Sequence, residues 1–129
     1  MRLLLDTHIL LAFVERGGAG LPDGVAALLS DQRNEHHLSA ASLWEITIKK
    51  GLARDDFQVD ARLLRRGLLD NGYSELAITS AHAVAIDGLP PIHKDPFDRL
   101  LVAQSMVEGI TLLTNDPLVA KYPAPVQRI

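Results

Sequence analysis

Arg2-Leu3-Leu4-Leu5-Asp6-Thr7 opens the chain with a short apolar run that stops at an acid, and Ile9, Leu10, Phe13 and Val14 follow at helical spacing before the break at Gly17-Gly18-Ala19-Gly20. That order reads as strand, turn and helix, and the alternation recurs down the chain. A helix starting near Asp23 and running to Ser30 precedes a brief strand at His36 to Ser39. Ser39 or Ser42 can then cap a helix to about Lys50, with Gly51 as its stop. Asp60 to Leu69 sets Leu63, Leu64, Leu68 and Leu69 against Arg62, Arg65 and Arg66, an amphipathic helix ending near Asn71-Gly72. Glu75 to Ile78 is the next strand, Thr79 caps a short helix to Ile86, and Pro90-Pro91 makes a rigid connection. Asp95-Pro96 starts an apolar helix from about Phe97 to Glu108 that stops at Gly109. Ile110 to Leu113 is a strand of the kind buried on both faces, Pro117 to Lys121 a helical turn, and Val126 to Ile129 an edge strand. Short apolar strands alternating with helices imply βαβ units. The expected fold is α/β, with three α/β/α layers around a central, mostly parallel sheet of four or five short strands.

A length of 129 residues suits one compact domain, and no repeat, low-complexity stretch or linker divides it, so residues 1–129 are read as a single domain. A hydrophobic fraction of 47% and a charged fraction of 22% are ordinary globular usage. The absence of cysteine excludes disulfides, thiolate metal sites and cysteine nucleophiles, so any metal must bind through oxygen or nitrogen. The N-terminal apolar run is too short for a signal segment, and Ile9 to Val14 falls well below the ~18 residues of a membrane span, so a cytoplasmic location away from membranes is expected. A net charge of −3 argues mildly against a general nucleic-acid binder. It does so only mildly, because a nuclease that chelates divalent cations carries surplus carboxylates, and the bound ion restores positive potential where phosphate sits.

In an open parallel sheet, ligands bind beyond the carboxyl ends of the strands. Asp6 follows the first strand directly, and Asp116 follows the last apolar strand after Thr114-Asn115. Asp98 stands at the start of the preceding helix, and Glu45 in the first turns of the helix after His36 to Ser39. Each alone has a plain use: Asp6 and Asp116 as turn or capping residues, Glu45 as the end of a Ser42-Leu43-Trp44-Glu45 capping box, Asp95 and Asp98 as cap and third position around Pro96. Four carboxylates on one rim repel one another unless a cation neutralises them, which is the physical case for a metal. Magnesium and manganese prefer oxygen ligands and keep several waters.

Leu3-Leu4-Leu5-Asp6-Thr7, Glu45 within Ser42-Leu43-Trp44-Glu45-Ile46, Asp98-Arg99-Leu100-Leu101-Val102-Ala103 and Thr114-Asn115-Asp116 occur in the order of PIN-domain nucleases, and the chain resembles VapC-type toxins. The stretch from His93-Lys94-Asp95-Pro96-Phe97 to Gln104, with Leu89-Pro90-Pro91 before it, is similar to one VapC-like branch. The resemblance runs from start to end of the chain. It implies a PIN-like fold and a Mg2+- or Mn2+-dependent endoribonuclease that hydrolyses RNA phosphodiester bonds with cation-activated water, leaving 5′-phosphate and 3′-hydroxyl ends. It also implies the toxin of a type II toxin–antitoxin pair, covered by a cognate antitoxin and assembled as a homodimer or toxin–antitoxin hetero-oligomer. Carried over position by position, Asp6, Glu45, Asp98 and Asp116 become the catalytic and metal-binding quartet. Asp95 is read as a cap or supporting residue. Thr7, Thr114 and Asn115 are expected to orient carboxylates or waters, and Arg99, beside Asp98, to be the best-placed cation for RNA phosphate.

The five histidines show no zinc-ligand spacing and are read as structural or surface residues, with His93 near enough to the acidic helix start to touch the site. Arg62, Arg65 and Arg66, and Lys49-Lys50 with Arg54, are read as solvated faces. Trp44 is assigned to core or interface packing rather than to base stacking. Gly17 to Gly20 fits no phosphate-binding loop. Among competing functions, an aspartate-nucleophile phosphatase would explain Leu3-Leu4-Leu5-Asp6 but wants a second aspartate where His8 stands. A metal-independent ribonuclease would use a histidine pair. A binding protein would hold RNA or a partner on a PIN-like scaffold without cutting.

Overall fold

A computed structural model of the chain describes residues 1–16, 21–52 and 59–129; the Gly17 to Gly20 break and Arg54 lie outside them. Five strands form one sheet: β1 (Arg2–Leu5), β2 (Glu35–Ser39), β3 (Ser74–Leu76), β4 (Thr111–Thr114) and β5 (Val126–Arg128), in the order β3-β2-β1-β4-β5. Every pairing is parallel, so the sheet is not merely mostly so. Six helices accompany it among the described residues: α1 (Thr7–Arg16), α2 (Asp23–Ser30), α3 (Ala40–Gly51), α4 (Ala61–Asp70), α5 (Ser80–Ala85) and α6 (Pro96–Glu108).

Parallel strands are buried on both faces, and β1 explains why its sequence does not alternate. Leu3 and Leu5 pack with Ile9 and Leu10 of α1, Val25 and Leu29 of α2, Ile46 of α3 and Leu64 and Leu68 of α4. Leu4 points the other way, to Leu100, Leu101, Val102 and Ala103 of α6 and to Val119 and Tyr122. From β1 the chain steps outward to β2 and β3, then crosses back to lay β4 against the other side of β1. That reversal opens a crevice at the carboxyl ends of β1 and β4. The Asp6 N–H donates to the Leu113 carbonyl at 3.0 Å and carries the pairing one residue past β1, into the crevice.

Several element ends differ from the sequence expectation for local reasons. Ser39, not Ser42, caps α3: its hydroxyl accepts the Ala41 N–H at 3.0 Å. Ser42 lies inside the helix, bonded to Thr7, so Ser42 and Glu45 form no capping box and Glu45 sits deeper in α3. Gly51 continues α3 instead of stopping it. Gly109 ends α6 with φ of 63°, a conformation glycine adopts without strain. The third strand spans Ser74–Leu76, earlier than the Glu75 to Ile78 expected. No helix among the described residues is long and apolar enough to cross a membrane.

Candidate active site

Asp6 lies between the end of β1 and the start of α1, and only 1% of it is exposed. Its backbone carbonyl accepts the Leu10 N–H and its Oδ1 the His8 N–H, so it caps α1 as the plain reading holds. Its Oδ2 accepts the Thr114 hydroxyl at 2.6 Å, across the β1/β4 junction. Thr114 Oγ1 in turn accepts the Asp116 N–H at 3.0 Å, so one buried hydroxyl links two of the four acids. Burial pushes the Asp6 carboxyl above its ordinary range, against the Thr114 and His8 contacts that favour the charge, and Glu45 adds to the push.

Asp98 lies in the first turn of α6 and is 7% exposed. Burial first, then the negative charges of Asp6 and Asp95, raise it to about 7; Glu45 contributes and His93 opposes. Asp116 goes the other way: its partial burial is outweighed by the Leu118 N–H and the His93 ring, and it lies below the usual carboxylate range. His93 Nε2 sits 3.0 Å from Asp116 Oδ2 and 3.2 Å from Asp98 Oδ2. Glu45, 3% exposed on α3, meets Lys49 one turn on, with Oε2 2.9 Å from Nζ. Its other oxygen, Oε1, is buried with no hydrogen-bond partner among the described residues.

The four acids expected from the sequence therefore converge: Glu45, Asp6 and Asp98 within electrostatic reach of one another, Asp116 tied to Asp6 through Thr114 and to Asp98 through His93. Thr7 is buried and holds the Ser42 hydroxyl at 2.8 Å, which pins α1 to α3 behind Asp6 and Glu45. Asp95 caps α6, its Oδ1 accepting the Phe97 and Asp98 N–H groups. Asp95→Ala is accordingly expected to cost about 1 kcal/mol of stability. Asp95→Asn, which still caps, should keep activity within about tenfold; urea denaturation and initial rates check both. Asn115 is exposed. Arg99 departs from expectation. Its guanidinium donates to the carbonyls of Pro90, His93 and Ile86 and to the Tyr122 hydroxyl, which commits it to holding the loop before α6. Trp44 is 54% exposed, against Phe97 edge to face, and so is not core.

Sequence reasoning read Lys49 only as part of a basic face, gave no role to Tyr122, and touched His93 only in passing. The i,i+4 spacing from Glu45 was the available signal for Lys49; the other two depend on loop placement that no local pattern encodes. A groove of about 500 Å³ lies elsewhere, bordered by Phe13 and Val14 of α1, Leu63 and Leu64 of α4, and Tyr73, and none of the four acids lines it.

The donor set suits a hard divalent cation, because it is rich in carboxylate oxygen, one of whose atoms, Glu45 Oε1, is buried without a partner, and its buried acids leave negative charge only partly offset by Lys49 and His93. The PIN domain model matches residues 3–124. The chain belongs to the PIN domain family. No curated protein matches it at the level of sequence. Among solved structures, this PIN domain is similar in fold to a chain of VapBC2 from Rickettsia felis bound to a DNA fragment from their promoter, with 15% identity over 99% of this chain and 98% of that one and a TM-score of 0.72. It is also similar to a chain of DNA-bound VapBC from Salmonella typhimurium, with 11% identity, 99% and 98% coverage and a TM-score of 0.68. The PIN domain endonuclease Utp24 aligns at 17% identity over 92% of this chain and 74% of that one, with a TM-score of 0.52.

Proposed function

We propose that this PIN domain, residues 1–129 acting as a single domain, is a Mg2+- or Mn2+-dependent endoribonuclease and the toxin of a toxin–antitoxin pair. The observation that carries the reading is the buried negative charge in the β1/β4 crevice: Asp98 raised to about 7 among Asp6, Asp95 and Glu45, beside a Glu45 oxygen with no partner among the described residues. A divalent cation bound by Asp6, Glu45, Asp98 and Asp116 would supply a Lewis acid for a phosphodiester and a more acidic water. The chain's own residues prepare that site. Thr114 fixes the Asp6 rotamer and the Asp116 backbone together, Lys49 holds one Glu45 oxygen and leaves the other for a ligand, and the Thr7–Ser42 bond keeps α1 and α3 in register. Polyanionic RNA is attracted only once the cation reverses the local sign.

The likeness to chains of VapBC structures supports a cognate antitoxin as partner, and Utp24, a PIN domain endonuclease, supports cleavage within a strand. Trp44 and Ile48 on α3 and Leu52 just past its end, exposed at four-residue spacing, support a surface covered in a homodimer or hetero-oligomer. An aspartate nucleophile finds little support, since Asp6 is 1% exposed and both its oxygens already accept hydrogen bonds.

The test uses the chain purified free of its partner and incubated with structured RNAs. Cleavage is expected with Mg2+ or Mn2+, absent in excess EDTA, lost in Asp6→Asn, and leaving 5′-phosphate ends. Cleavage that survives EDTA, or 2′,3′-cyclic phosphate products, would favour a histidine-based mechanism, and RNA binding without cleavage the binding-protein reading.

A further inference from the structure

His93, Asp98 and Asp116 present ligand-type atoms within 4.8 Å of one another, the arrangement of a mixed nitrogen–oxygen metal centre. The far side of the imidazole argues against that use. His93 Nδ1 lies 3.0 Å from the Asp95 backbone nitrogen, whose only hydrogen it must accept, so Nδ1 carries no proton. The ring proton is then on Nε2. Nε2 is the atom that stands between the two carboxylates: it is hydrogen-bonded to Asp116 Oδ2 at 3.0 Å and lies 3.2 Å from Asp98 Oδ2. Its lone pair is in the aromatic ring system and not available to a cation. The ring is also held in place: the His93 N–H donates to the Tyr122 hydroxyl at 2.8 Å, and Arg99 donates to the same hydroxyl at 3.2 Å.

We propose that His93 is a positioning residue and not a ligand: the Asp95 backbone locks its tautomer, its Nε2–H bonds Asp116 and faces Asp98 as a clip between the two, and the cation is left with oxygen donors only. The inference rests on the cation-site reading above and specifies it. An oxygen-only centre favours Mg2+ and Mn2+, whereas a histidine ligand would shift preference toward nitrogen-seeking ions such as Zn2+. The clip also holds the two carboxylates together, with their ligand-type atoms within 4.8 Å of one another, so that less rearrangement would accompany cation binding.

Three measurements test it on the full chain. In metal-free protein with 15N-labelled histidine, two-bond 1H–15N spectra, assigned with His93→Gln, are expected to give the Nε2–H tautomer for His93. In the Mn2+-loaded protein, electron spin-echo envelope modulation is expected to give no directly bonded nitrogen. Mn2+ affinity, read from the free-ion EPR signal, should fall about 10- to 100-fold in His93→Ala, as for other partners that orient metal ligands, and less in His93→Gln, whose amide N–H can still donate. A directly bonded nitrogen that vanishes in His93→Ala, an Nδ1–H tautomer, or an alanine variant that binds Mn2+ as tightly as the wild type or more so would each overturn the proposal. Should His93→Ala not fold, the two spectroscopic readings on the wild type decide. If the wild type binds no Mn2+, the cation reading itself falls and the clip's role with it, an outcome distinct from binding through nitrogen.

Discussion

Asp98→Asn is expected to remove cleavage and, in the metal-free protein, to raise stability. The loss of rate should be at least ~100-fold, the upper end of what removing a mere supporting partner of a metal site does. The gain follows from the raised acidity constant. A carboxyl at about 7 in the folded protein and near 3.8 in the unfolded chain favours the fold fully only below the lower value, and that stability is lost as pH rises through 7. At pH 8 the wild type thus carries a buried, repelled charge that asparagine lacks, while the amide still sets a polar group against the His93 ring. A difference of a few kcal/mol is the scale, and a melting point moves roughly 4 °C per kcal/mol for a chain of this size. Thermal melts of both proteins between pH 4 and 9 should converge at the acid end, draw apart as pH rises from about 4 to 7 and stay apart above that, and saturating Mg2+ should close the gap from the wild-type side. An asparagine variant that melts below the wild type at pH 8 without metal, or that retains cleavage, would contradict the assignment of Asp98.

Leu4→Ala and Leu5→Ala should each cost about 2–5 kcal/mol, although the two side chains point to opposite faces of the sheet. Both are fully buried, Leu5 in the core shared by α1, α2, α3 and α4 and Leu4 in the core under α6. In a sheet with one wet face, one of the two substitutions would be nearly neutral. Urea midpoints for the pair separate the cases: a small effect at either position would mean that one helical layer does not cover β1.

The parallel α/β character was legible because an apolar run without alternation, as in Leu3-Leu4-Leu5, is what burial on both faces requires. The ends of α6 were legible too, since Asp95-Pro96 and Gly109 act through local backbone chemistry. Neighbours in sequence misled wherever a helix was involved. Asp98 and Arg99 are adjacent, yet successive helical residues project about 100° apart, so Asp98 faces the crevice while Arg99 turns to the Pro90 and Ile86 carbonyls. Trp44 and Glu45 separate in the same way, one exposed and one buried. The Ser42 capping box failed because the helix starts one turn earlier, where Ser39 caps it by accepting the Ala41 N–H. The contacts that join the acids are long-range, Thr114 to Asp6 across 108 positions and His93 to Asp116 across 23, and no local pattern encodes them.

The Thr114–Asp6 bond bears on how such a site is assembled. β1 sits at the centre of the sheet, yet one of its two neighbours is β4, built from residues near the far end of the chain. Synthesis proceeds from the N-terminus, so Asp6, Glu45 and Asp98 all exist before Thr111–Thr114 can dock beside them. A stalled or truncated polypeptide ending short of β4 would hold three of the four acids and no crevice in which to assemble them. Assembly of the acid cluster thus waits on β4, more than a hundred positions after the strand it pairs with.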